Sequence, residues 1–280
     1  MDEFAEHFNS DILPARINDY RIKVENAISA ELNKRKDSIC YECLTNAIKG
    51  GKRLRPILLI LSFECVNGHG MDPFPAAVAV ELIHLESLIH DDIIDRDSLR
   101  RENAAFHALY GHEMALLSAD FILSMILDIT ARYTNPRVTK TLALAASRLC
   151  EGELKELMVY KDKQILNQGM YLDIISKKTA ALFEASAKIG AIIGGATEDN
   201  IQALSDYARL LGTAYQIRDD ILDWEKSSTE LLSLLDTNLD KIPYLQEILA
   251  SYIREAKEKL KNLKPSDARD LLIQLADFIS

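Results

Sequence analysis

The 280-residue sequence predicts an all-α fold, a bundle of ten or more helices in a single domain spanning residues 1–280, and three observations carry that reading. Apolar residues recur with the helical period in nearly every segment, beginning with Ile17, Tyr20, Val24, Ala27 and Ile28. No stretch alternates with period two for long enough to make a strand. The seven prolines, Pro14, Pro56, Pro73, Pro75, Pro136, Pro243 and Pro265, all fall between periodic segments or at their first turn, where a missing N–H is tolerated.

These breaks place helices over 17–34, 38–49, 56–66, 75–97, 113–133, 137–160, 170–193, 199–224, 243–263 and 266–279. No internal repeat, low-complexity tract or linker divides them. With 48% hydrophobic residues and only 11 glycines, the chain can bury one large core. A formal charge of −10 argues against a nucleic-acid surface. The basic residues that exist form islands (Lys49, Lys52, Arg53 and Arg55; Arg96, Arg100 and Arg101; Lys177 and Lys178), a pattern suited to small anionic substrates. No apolar run approaches the ~18 residues needed to span a bilayer, and the acidic start MDEFAEHFNSD is unlike a secretory signal, so a cytoplasmic location is expected. Cys40 and Cys43 form a CxxC without a second pair at zinc-ribbon spacing; with Cys65 and Cys150 they read as reduced thiols.

The first chemical signal is GGKRLRP, Gly50 to Pro56. Two glycines free the turn, Pro56 starts a helix, and Lys52 and Arg55 lie near that helix's N-terminus, which favours anions. Standing alone, the segment is equally a solvated basic turn. Next comes ELIHLESLIHDDIIDRDSLRR, Glu81 to Arg101. Asp91 and Asp95 are four apart on a helix and point the same way, Asp92 lies roughly 100° round, and His84 and Ser87 extend the stripe backwards. The flanks are Leu and Ile, and buried carboxylates need a counter-ion. Arg96, Arg100 and Arg101 follow, as guanidinium forks for phosphate oxygens or as cations on a helix C-terminus.

Lys177, Lys178 and Thr179 open the small apolar run AALFEASAKIGAIIGG. In YQIRDDILDW, Asp219 and Asp223 repeat the four-residue spacing, with Asp220 beside them and Gln216 a turn earlier. Aspartate pairs of this kind suit Mg²⁺, which is usually shared between a few carboxylates and substrate phosphates, so the two clamps predict a polyphosphate ligand. His90, His107 and His112 read as ordinary polar or packing residues, and Gly212 as a place of close helix packing.

Taken in this order, GKRLRP, ELIH…LIHDDIID…LRR, KKTAALF and YQIRDDILD resemble the trans-isoprenyl diphosphate synthase family over about Gly50 to Trp224. The resemblance implies an isoprenoid-synthase-type helical bundle around a central cavity walled by the two clamps, and a homodimer. It also implies head-to-tail condensation of isopentenyl diphosphate with an allylic diphosphate. Asp91, Asp95 and Asp219 would be the leading Mg²⁺ ligands, supported by Asp92, Asp220 and Asp223. Lys52, Arg55, His84 and Arg101 would hold isopentenyl diphosphate. Arg100, Lys178, Thr179 and Gln216 would hold the allylic diphosphate, and Lys241 is the best match for a further substrate-contacting lysine.

Product length in the family follows the bulk of residues below the first clamp. Ser87 and Glu86 stand four and five before Asp91, with Phe121 and Met125 as a floor on the next helix. Without an aromatic at those two positions, geranylgeranyl diphosphate is the expected product, with farnesyl diphosphate the alternative. Departures from the family pattern lie at Glu102, Asn103 and Ala104, at Ala119, and beyond Trp224. They leave open a non-catalytic synthase subunit. A terpene cyclase would share the first clamp, but GKRLRP and the second aspartate run speak against it.

Overall fold

The computed structural model describes residues 13–100, 103–226, 230–236 and 240–280. The long helices form where the period predicts them, and in chain order α1 (Leu13–Asn33), α2 (Tyr41–Ala47), α3 (Leu54–Cys65), α4 (Phe74–Ile94), α5 (Phe106–Tyr110), α6 (His112–Thr130) and α7 (Pro136–Asp162) come first. They are followed by α8 (Gln168–Ile175), α9 (Ala181–Ile193), α10 (Glu198–Lys226), α11 (Glu230–Ser233), α12 (Lys241–Lys259) and α13 (Asp267–Ile279). Three details differ from the sequence reading. The helix expected over 170–193 is interrupted by a π-turn at Ser176–Ala180, which joins α8 to α9. A small antiparallel pair, β1 (Leu99–Arg100) and β2 (Asn103–Ala104), sets Leu99 opposite Ala104. The short α5 and α11 appear as well; neither two-residue strands nor single helical turns leave a periodic signal in sequence.

The chain divides into two compact units. One comprises Met1–Ile57 and Asp72–Thr139, the other Leu58–Met71 and Lys140–Ser280. In the first, α4 packs against α1 and α6. Its stretch Ala76–Ile83 is buried on every side, apolar but for Glu81, which pairs with Arg53. The start of α4 has no side-chain N-cap; instead the Tyr133 hydroxyl accepts from the Ala76 N–H at 2.9 Å and donates to the Asp72 carbonyl at 2.6 Å. One of the helix's orphan donors is thereby satisfied in the core.

In the second unit α10 is central and packs against α9, α12 and α13. Two glycines allow backbones to touch. A Cβ at Gly190 would lie 2.1 Å from the Leu59 carbonyl oxygen, and one at Gly212 would lie 2.8 Å from Ala180 Cα, so the packing role read for Gly212 holds. Among the described residues no helix is long and apolar enough to cross a membrane.

Candidate active site

In the first unit the basic loop turns through positive φ at Gly50 (78°), Gly51 (96°) and Arg53 (54°). A left-handed arginine is costly by about 1 kcal/mol or more, so something must hold it. The Arg53 side chain is 3% exposed, donates through Nε to Glu25 at 2.8 Å and through Nη1 to Glu81 at 2.5 Å, and meets the Ile48 carbonyl through Nη2. Sequence reading grouped Arg53 with the anion-facing cations. The fold turns it inward and leaves half-buried Lys52 and Arg55 flanking it, Arg55 in the first turn of α3.

Helix α4 carries His84, Ser87 and Asp91, all half-buried, and ends at Asp95, whose N–H donates to the Asp91 carbonyl at 2.8 Å. The Ser87 hydroxyl donates back to the His84 carbonyl at 2.9 Å. Asp92, only 2% exposed, points away from this stripe and is paired with Arg100 Nε from β1. Burial pushes the Asp92 carboxyl up, and the Arg100 guanidinium pulls it part of the way back. Arg101 lies outside the described residues. Below the clamp, Glu86 is half-buried and pushed up to about 7, first by burial and then by the charge of Asp120 on α6. Met125 is fully buried and Phe121 half-buried on that helix.

The second unit builds a cavity of about 190 Å³ lined by Glu156, Tyr160, Ile175, Lys178, Thr179, Gln216, Asp220 and Leu231. The π-turn delivers Lys178 and Thr179 to it, and such turns recur at functional sites because they re-aim side chains that a regular helix would place elsewhere. A hydrogen-bonded chain crosses its wall. Thr179 Oγ1 donates to Gln216 Oε1 at 2.6 Å, Gln216 Nε2 donates to Asp220 Oδ1 at 2.8 Å, and the Tyr171 hydroxyl donates to Asp220 Oδ2 at 2.6 Å. Burial pushes Asp220 up to about 6 against the pull of Tyr171 and Gln216. Lys178 is ion-paired with Glu156 at 2.7 Å and Glu153 at 2.8 Å. Burial opposes its charge, yet the two glutamates outweigh it and hold the ammonium above the ordinary lysine range. Lys241 donates to the Leu232 and Ser233 carbonyls at 2.6 and 3.2 Å and stands 5.2 Å from the Trp224 ring centre.

The two aspartate runs share a design. In each, the second carboxylate is engaged inward, Asp92 by Arg100 and Asp220 by Tyr171 and Gln216. The first and last stand one turn apart on one face, half-buried Asp91 with exposed Asp95 and half-buried Asp219 with exposed Asp223. An all-oxygen donor pair of this kind fits a hard divalent cation. Among the described residues no three His, Cys, Asp or Glu side chains gather closely enough to hold a metal alone. A bound ion would therefore complete its shell from water and phosphate oxygens.

Sequence reasoning missed Glu156 and Tyr160 of α7, which line the cavity, and Glu153 of α7 and Tyr171 of α8, which pair with the lining residues Lys178 and Asp220. The nearest signal was Gly152, a glycine inside a long helix.

A family model described as polyprenyl synthetase matches residues 37–261. A geranylgeranyl diphosphate synthase of Methanosarcina mazei is 35% identical, the match covering 82% of this chain and 85% of that one. Among solved structures, a geranylgeranyl pyrophosphate synthetase from Pyrococcus horikoshii matches with a TM-score of 0.82 at 32% identity, over 99% of both chains. A polyprenyl synthase from Caulobacter crescentus, crystallised with calcium and isoprenyl diphosphate, matches with a TM-score of 0.83 at 25% identity, over 95% of this chain and 96% of that one.

Proposed function

Because the chain belongs to the polyprenyl synthetase family, we propose that it joins isopentenyl diphosphate head-to-tail to an allylic diphosphate and releases a short-chain trans-prenyl diphosphate, geranylgeranyl diphosphate. The observation that carries the reading is the repeated aspartate run, with two carboxylates presented on one face and the third locked inward.

The residues divide by role. Lys52, Arg55, His84 and Arg101 hold isopentenyl diphosphate, while Arg100, Lys178, Thr179 and Gln216 hold the diphosphate of the allylic substrate, with Lys241 as a further lysine of the site. Asp91, Asp95, Asp219 and Asp223 are the metal ligands; Asp92 and Asp220 support them through the helices they anchor. A divalent ion is the family's cofactor, and magnesium, held by these carboxylates, would neutralise the charge that develops on the departing diphosphate. As the allylic C–O bond breaks, the isopentenyl double bond attacks the resulting cation, a carbon–carbon bond forms and a proton leaves to the released diphosphate. No protein nucleophile is needed. Ser87 is small and neither of the two positions before the clamp is aromatic, which supports a C20 product.

The same proposal includes a cytoplasmic enzyme acting as one catalytic domain and as a homodimer. Leu116, Leu123 and Leu127 are 52%, 45% and 56% exposed along one side of α6, and a second copy of the chain would cover this stripe. Sedimentation of the purified protein at a dimer's mass is the expected result.

The function is tested by incubating the protein with Mg²⁺, labelled isopentenyl diphosphate and, separately, dimethylallyl, geranyl and farnesyl diphosphates, then resolving products by length. A C20 diphosphate is expected. A product that stops at C15 would correct the chain length, and no elongation from any starter would reject the synthase reading.

A further inference from the structure

Lys178 stands at an unusually close approach of two backbones. A Cβ at Gly152 of α7 would lie 2.6 Å from Lys178 N and 3.0 Å from its Cα, so only glycine lets α7 lie against the π-turn. Glu153 and Glu156, from the same side of that contact, both reach the Lys178 ammonium, and each glutamate side chain is only 13% exposed. The other oxygen of Glu156 is also fixed, accepting from the Tyr160 hydroxyl at 2.9 Å. Of the ammonium's three donors one is directed at Glu156 Oε2, while Glu153 Oε2 lies 2.8 Å away as an ion pair outside hydrogen-bond geometry.

Two carboxylates facing one ammonium leave this wall of the cavity net negative before Asp220 is counted. Charge of that sign opposes a bare diphosphate, and the opposition is strong where water is scarce. It does not oppose a diphosphate accompanied by a divalent cation.

We propose that Glu153 and Glu156 are positioning residues, holding the Lys178 ammonium at the cavity wall and making its engagement by a diphosphate depend on an accompanying divalent cation. This rests on the reading of Lys178 as an allylic diphosphate contact and adds what its neighbours do.

The test is calorimetric binding of inorganic diphosphate to the full chain, in chelator and then in Mg²⁺, for wild type, E156Q, E153Q and the double variant E156Q/K178M. Removing one carboxylate charge without changing shape should strengthen metal-free binding by about tenfold in E156Q, and in the same direction in E153Q. Binding in Mg²⁺ should change less, so the gain from metal narrows. Unchanged or weaker metal-free binding in both glutamine variants, with thermal melts showing them folded, would overturn the proposal. So would an E156Q variant that loses only its Mg²⁺-supported binding, since the carboxylate would then belong to the metal. In E156Q/K178M the metal-free gain should vanish; if it persists, Lys178 is not the diphosphate contact, and the subsite reading fails along with the role given to its glutamates.

Discussion

The two aspartate runs look interchangeable in sequence and share one outward face, but the partners that hold their inward carboxylates differ. Asp92 is held inward by a cation, Arg100, from a neighbouring β-hairpin, whereas Asp220 is held by neutral donors, Tyr171 and Gln216. The ground beneath them differs too. Five residues before Asp91 stands Glu86, pushed up to about 7, and five before Asp219 stands the fully buried Ala214. Identical spacing therefore fixes which carboxylates face outward, while the partner of the inward one decides how much charge each helix must bury.

The largest expected effect treats the runs as equals. Asp91→Ala and Asp219→Ala should each lower turnover by about 10³-fold or more with the fold retained, because each removes a carboxylate of the metal site. Steady-state rates and circular dichroism check this, and a near-normal rate in only one variant would show that the runs do not share a role.

The next effect separates them. Arg100→Met leaves Asp92 buried without its cation and should cost about 3 kcal/mol in denaturant unfolding. Equal losses for this variant and Tyr171→Phe would erase the contrast between charged and neutral support.

A third effect comes from Glu86. Its folded pKa is raised to about 7, so the native state holds a proton that the unfolded chain has released above its ordinary carboxyl range. Stability from this group is therefore greatest in acid and declines as pH rises from about 4.5 to about 7. Glu86→Gln should match wild type near pH 4 and be more stable by up to about 2 kcal/mol above pH 7, flattening that part of the stability curve. Urea melts across the range read it directly; parallel curves would remove Glu86 as the source.

The smallest effect is that of Tyr171→Phe, which should cost about 1 kcal/mol, since Asp220 keeps its bond from Gln216.

Much of this was legible in the chain. Helix positions followed from apolar spacing and from prolines confined to helix starts, because burial and the missing N–H act within a few residues. The outward faces of both runs followed from four-residue spacing on a helix, which is geometry internal to one element. Arg53 shows where that logic stops. In sequence it is one of four cations in a basic island, but Glu25 and Glu81 lie 28 residues away on either side, and only the packing of α1 and α4 brings them to it.

The chain by itself thus determined the helices, the carboxylates that face outward and the order of the basic motifs, all set by interactions between near neighbours. Tertiary structure alone decided that Asp92 meets Arg100, that Thr179, Gln216, Asp220 and Tyr171 form one hydrogen-bonded chain, and that Lys178 is shared by two glutamates. The last two of those outcomes depend on how closely backbones can approach. At Gly152 and Gly212 that distance is set by a missing side chain, whose significance appears only when the other backbone is in place.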